Sequence, residues 1–417
     1  MQLESFLKMI REVKCLNGKL TIRDIYDFRV EDKHLSEILE ALKNSNGVRE
    51  IFLESNLTAN GVHELAKFLE DNNEIESVSL WNQDRYHYPQ NDTIGCFVPV
   101  IQKNKTLKRL VLTGIGAEKA DTTQFFEALK VNNQIEHLSL YNNRFESCEM
   151  ANQIATLISS NTVLKTLNLN GHYFKENELK IIADSLASNK TLEEIDVDGF
   201  RVGNEGASIF ATELAKDINL KAIRFFDSTI TAPGAIALAN SLVTNTHLTT
   251  LDLGCDSIGL EGTLALAKAL ETNRKLQVLK IGVYSANDEG VKAFADMLEK
   301  NTSLIEFDYN PFYTKGNGMD KLRIDMSLTR NKIAFLEHQT GQAAIEQRQE
   351  AVEKLKELEA QYQQKITPPN FSEYVDMRIA ATRAGRWGCC AFPFFAGSVA
   401  ASSSNEEDCS ENKTSSP

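Results

Sequence analysis

Apolar residues along this chain fall into two alternating periods. Between Thr246 and Asn273, Leu248, Leu251 and Leu253 are spaced as on a strand with one buried face. Leu264, Ala267 and Leu270 then share one stripe of a helix, after a turn region carrying Gly254, Gly259 and Gly262. A strand this short needs neighbours, and a helix of this length is marginal alone in water, so the unit predicts stacked copies of itself. The copies are there. The first strand leucine recurs at Leu192, Leu220, Leu248, Leu276 and Leu304, and the glycine at Gly206, Gly234, Gly262 and Gly290, both every 28 residues. Upstream, strands are expected to start at Val48, Ile75, Leu107, Ile135 and Leu164, with steps to Leu192 of 27, 32, 28, 29 and 28. The long step holds a polar insertion, Trp81–Asp92, and insertions in repeat arrays map to loops, where binding residues concentrate.

The ends of the array differ from its middle. Residues 1–46 are expected to form an N-terminal cap, with Phe6, Leu7 and Ile10 on a first helix and an irregular strand at Leu20-Thr21-Ile22. Leu35, Ile38, Leu39 and Leu42 follow on a clear helical stripe. About ten repeats occupy 47–312, and a C-terminal cap with an extended helix occupies 313–365. There Leu322, Met326, Ile333 and Leu336 are expected to cover the open end of the solenoid. Ala344, Ala351, Leu355, Leu358 and Tyr362 fit either a short coiled coil or a single exposed helix. Thr367-Pro368-Pro369 ends that helix. The tail, 366–417, reads as largely disordered, interrupted by an apolar segment around Trp387, Cys389 and Cys390.

The pattern L-x-x-L-x-L followed by a full helix in a 28-residue unit resembles the ribonuclease-inhibitor type of leucine-rich repeat. That resemblance implies an α/β solenoid, a horseshoe with parallel strands on its concave face and helices on its convex face. Members usually carry Asn or Cys soon after the last strand leucine. Here that place holds Asn56, Gln83, Ile115, Asn143, His172, Phe200, Ser228, Asp256, Tyr284 and Phe312, so a looser turn stack is expected.

The repeat register makes the concave face readable. One row holds Glu54, Trp81, Thr113, Tyr141, Asn170, Asp198 and Phe226; the adjacent row holds Phe52, Ser79, Val111, Ser139, Asn168, Asp196, Arg224 and Asp252. Trp81, Tyr141 and Phe226 are aromatics on a nominally wet surface, the residue class enriched in binding hot spots. Glu193, Glu194, Asp196 and Asp198, with Asp252 two repeats on, concentrate negative charge suited to a basic partner. The formal net charge of −13 over 417 residues argues against a duplex nucleic-acid partner. Seven histidines are dispersed, outside any metal-ligand or nucleophile motif, and the glycines lack phosphate-loop spacing and read as turns. No cofactor, metal or enzymatic activity is expected. The seven cysteines are scattered, and the N-terminus lacks a long apolar core, which together suggest a reduced, cytoplasmic setting. Asn104, Asn189 and Asn301 lie in Asn-x-Ser/Thr sequences better read as helix-to-strand turns than as sugar sites.

Three further resemblances bear on function. The array is similar to the Ran GTPase activators, horseshoes of this repeat type. The places matching that family's functional Arg and Asn would be Arg85, in the 32-residue repeat, and Asn142 or Asn143. The adjacent Cys389 and Cys390 in an apolar, partly basic segment resemble lipidation sites, and two acyl chains anchor to a membrane where one does not. The acidic, Ser-rich extreme tail looks like the export signals of bacterial effectors that carry eukaryote-like repeats and act in a host cell. The reading reached from sequence is a scaffold that binds a protein partner on its concave face, with GTPase activation as the alternative.

Overall fold

The computed structural model describes residues 19–21, 30–43, 47–82, 93–116, 119–143, 145, 147–197, 202–216, 218–225, 228–254, 257–282, 287–309 and 318–366. Among the described residues, eleven strands lie in one open parallel sheet, in sequence order. They are β1 (Lys19–Thr21), β2 (Glu50–Ser55), β3 (Ser77–Asn82), β4 (Arg109–Thr113), β5 (His137–Ser139) and β6 (Thr166–Asn168), then β7 (Glu194–Asp196), β8 (Ala222–Arg224), β9 (Thr250–Leu253), β10 (Val278–Ile281) and β11 (Glu306–Asp308). Every pairing keeps the repeat register, so Ile51, Val78, Leu110, Leu138, Leu167, Ile195, Ile223, Leu251, Leu279 and Phe307 form a continuous apolar row. The sheet therefore begins inside the N-terminal cap, whose β1 is already in frame. This is the leucine-rich repeat solenoid expected from the sequence.

Helices alternate with the strands: α1 (Asp32–Lys43), α2 (Ala59–Asp71), α3 (Val98–Lys103), α4 (Lys119–Val131), α5 (Cys148–Ser160), α6 (Glu176–Leu186), α7 (Gly203–Leu214), α8 (Ala232–Leu242), α9 (Gly259–Leu270) and α10 (Asp288–Leu298). Strands in a sheet stack about 4.8 Å apart while packed helices need about 8–10 Å, so the strand side must be the inner, concave side. One core fills the space between, from Val30 to Ile324. The repeating glycines Gly206, Gly234, Gly262 and Gly290 sit in the first turns of α7 to α10, where a glycine that opens the helix belongs. A Cβ on Gly262 would lie 2.9 Å from the Ala235 Cβ, and one on Gly234 would lie 3.1 Å from the Ala207 Cβ. Glycine is required there because successive helices touch.

A second periodic device lies where each helix returns to the next strand. Asn104, Asn132, Asn161, Asn189, Asn245, Asn273 and Asn301 each stand three residues before a strand-start residue. Asn273 shows the pattern: its Nδ2 donates to the Leu242 and Asn245 carbonyls at 2.8 and 3.2 Å, and its Oδ1 accepts from the Lys275 and Leu276 amides at 2.9 Å each. Asn301 repeats it one unit on, donating to Leu270 and Asn273. Asn104, Asn189 and Asn301 are buried in this ladder, which agrees with reading their sequences as turns.

The last two helices among the described residues are α11 (Met319–Glu337) and α12 (Gln342–Ile366). Ile324 of α11 joins the solenoid core, and Asn331 extends the ladder by donating to the Asn301 and Leu304 carbonyls. Leu322 and Met326, expected to face the solenoid, instead meet Leu358, Leu355 and Tyr362 of α12. The reason is that α11 carries two apolar faces, one for each neighbour. Of α12, Ala351 and Leu358 are buried, and Ala344, Leu355 and Tyr362 are half-buried, so the five stripe residues form the face turned inward. Residues Met1–Gln363 form one compact unit. In the second, Gln364–Pro417, the described residues are the last three of α12.

Candidate functional site

The inner face divides into two chemically different halves. Across β2–β6 its middle row is Phe52, Ser79, Val111, Ser139 and Asn168, without a formal charge. At the C-terminal ends of these strands Trp81 and Tyr141 form an aromatic row with Phe52, the ring centroids 6.1 Å (Phe52–Trp81) and 6.0 Å (Trp81–Tyr141) apart. Trp81 is 37% exposed, a large apolar surface on the face itself. It belongs to β3 and not to the insertion that follows, because the strand runs on through Asn82. Thr113, between Trp81 and Tyr141 in register, is fully buried, and its Oγ1 has no hydrogen-bond partner among the described residues. A trough of ≈ 750 Å³ opens here, lined by Phe52, Ser77, Ser79, Trp81, Arg109 and His137 among others. Burial first, and then the Arg109 charge, hold the His137 imidazole below its usual pKa, and its Nδ1 lies 2.7 Å from the Thr166 hydroxyl.

Charge on this face is organised laterally. One residue before each strand begins, Arg49, Glu76, Lys108, Glu136, Lys165, Glu193 and Lys221 alternate in sign along the array. Adjacent members pair: Arg49–Glu76 at 3.2 Å, Lys108–Glu76 at 2.9 Å, Lys165–Glu136 at 2.6 Å and Lys221–Glu193 at 2.8 Å. Lys108 and Lys165 hold the Glu76 and Glu136 carboxyls below the usual range. From β7 onward the middle row alternates instead, as Asp196, Arg224, Asp252, Lys280 and Asp308. In-register parallel strands bring these positions side by side, where like charges repel and opposite charges attract. The acidic residues singled out above are thus distributed among partners. Glu193 pairs with Lys221, Glu194 with Arg224 at 3.2 Å, and Asp252 lies 3.7 Å from Lys280. Asp196 accepts a hydrogen bond from Asn168 at 3.0 Å.

The remaining candidates are separated. Asn142 occupies a left-handed turn (φ 55°), which asparagine tolerates, and its N–H donates to the Asn170 carbonyl at 2.8 Å. Asn143 points inward, where its Oδ1 accepts from the Ile115 amide and its Nδ2 donates to Leu112 and Leu140. Arg85, Asp198, Phe226, Cys389 and Cys390 lie outside the described residues. Among the described residues there is no cluster of His, Cys, Asp and Glu able to hold a metal ion, and no helix long and apolar enough to cross a membrane. Sequence reasoning placed Phe52 on the face without singling it out, and passed over Arg109 and the alternating ladder. Their signal was present in the columns flanking the strand leucines, and it emerges once signs are compared down a column.

The description "Leucine Rich repeat" belongs to the family model that matches residues 244–267, within the most regular part of the array. No curated protein matches the chain. Among solved structures, the tropomodulin C-terminal domain of Caenorhabditis elegans is similar at 14% identity, covering 45% of this chain and 95% of that one, with a TM-score of 0.31.

Proposed function

We propose that this chain is a protein-binding scaffold that grips a partner on the strand-lined face, anchored at Trp81 and Tyr141. The observation that carries this reading is the exposed Trp81 indole, held between Phe52 and Tyr141 beside the uncharged middle row of β2–β6. Such pre-ordered rings lose little entropy on binding and supply large apolar area, and anchors of this class contribute about 2 kcal/mol or more each. Phe226 extends the apolar contact. Asp196, Asp198 and Asp252 steer the encounter, an effect expected to fade as added salt screens their charge. The Trp81→Ala/Tyr141→Ala double variant should lose partner capture from lysate while keeping its circular dichroism spectrum and melting profile. Undiminished capture would sink the anchor assignment.

GTPase activation remains the alternative, resting on Arg85 and on the turn that presents Asn142. It requires that the protein accelerate a single turnover of a Ran-type GTPase and that Arg85→Ala abolish the acceleration. The effector reading and membrane anchoring belong to the tail. Acyl exchange on the wild type against Cys389→Ser/Cys390→Ser tests the second, and translocation without the last twenty residues tests the first.

A further inference from the structure

On the strand-lined face from β2 to β10, most described charged side chains engage one another in the pairs given above, and Glu50 and Asp196 have interactions of their own, whereas Glu54 and Arg109 stand apart. No described residue forms an ion pair or side-chain hydrogen bond with the Glu54 carboxylate, and no described carboxylate pairs with the Arg109 guanidinium. Both flank the aromatic patch. Glu54 is the register partner of Trp81 at the C-terminal end of β2, and Arg109 opens β4, beside Ser77 and His137. They are two strands apart across the sheet and four residues apart along it, a diagonal of about 16 Å. That line crosses Ser79, with Phe52, Trp81 and Val111 beside it.

Building on the proposal that a protein partner binds this face, we infer that the trough takes an extended peptide segment of the partner bearing one carboxylate and one cation about five residues apart, with uncharged apolar residues between them. The carboxylate meets Arg109, whose planar fork matches it with two parallel hydrogen bonds. The cation meets Glu54, its aliphatic stem or guanidinium lying on the neighbouring Trp81 face. The middle of the segment covers Phe52, Trp81 and Val111, where a charge would lose hydration without gaining a partner. With most other charges on the face paired, these two set the polarity. A segment with its charges reversed would place like charges together at both ends.

The test is a random twelve-residue peptide library displayed on phage and selected on the full-length protein, with the Trp81→Ala/Tyr141→Ala variant used for subtraction. Peptides specific to the wild type should carry an acidic and a basic residue four to six positions apart around an apolar centre. A synthetic peptide of that kind should bind Arg109→Gln about tenfold more weakly, and changing its acid to the amide should cost nothing further in that variant. Glu54→Gln should do the same for the peptide's cation. Selected peptides without the charge pair, or affinities indifferent to Arg109→Gln and Glu54→Gln, overturn this inference and leave the aromatic anchors standing. If no peptide distinguishes the wild type from the Trp81/Tyr141 variant, the anchors fall with it.

Discussion

His172 does with a ring what Asn143 does with an amide one repeat earlier. Its Nδ1 accepts from the Phe145 amide at 2.9 Å, and its Nε2–H therefore donates to the Leu140 carbonyl at 2.9 Å. The ring also stacks on Phe145, centroids 4.6 Å apart. Protonation would set a second N–H against the Phe145 amide in a fully buried place, and burial lowers the His172 pKa to about 3. An unfolded histidine protonates near pH 6.5. Between these values the unfolded chain binds the extra proton, so the neutral ring's contribution is complete above about pH 6.5 and drains as the pH falls toward 3. The expected loss from pH 7 to pH 5 is about 2 kcal/mol, read as the shift in urea midpoint. His172→Asn should flatten that acid slope while lowering stability at pH 7.5 by about 1 kcal/mol through the lost ring stack. Sequence showed His172 as a departure from the turn pattern. That an imidazole spans an amide and a carbonyl of the preceding repeat is a matter of reach, visible only with the neighbouring repeats in place.

Strands, helices and register were legible because one buried face per element leaves a periodic mark, as at Leu248, Leu251 and Leu253. What escaped were relations between elements: the helix contact at Gly262, the asparagine ladder, and the alternating charges. Each predicts a distinct failure. Asn273→Ala leaves two carbonyls and two amides without their side-chain partner beside a buried site, and should cost about 2–4 kcal/mol. Gly262→Ala gains about 1 kcal/mol in helix propensity but overpacks against Ala235 by a similar or larger amount, about 1–3 kcal/mol. Overpacking wins because the obstacle is a Cβ and a neighbouring backbone, so a net loss of melting temperature is expected. Glu136→Lys would set three cations side by side with Lys108 and Lys165. Its melting temperature should fall and partly recover at high salt, whereas an uncharged Glu136→Gln should fall less and respond less to salt.

The whole solenoid is held by contacts between neighbouring repeats, so its stability is a sum along one dimension, closed at the C-terminal end by α11. Repetition of the strand and helix pattern made the solenoid legible, while the split duty of α11, with Ile324 inward and Leu322 outward, required seeing both neighbours. The function was less legible, since a face is recognised by what remains unpaired after folding, and Glu54 looks like any other carboxylate until its neighbours are placed. Removal of residues 246–273 should give a folded, shorter array. Asn245 then stands three residues before Leu276, and the helix, strand and ladder positions all meet in frame. Melting as a cooperative species with one repeat's less ellipticity is the expected result; an aggregated or molten product would contradict it. The same in-frame match means that a duplication or loss of this unit during copying of the gene changes the length of the array and not its grammar. Inheritance can therefore adjust the reach of the binding surface one 28-residue step at a time, without touching the aromatic patch at the other end.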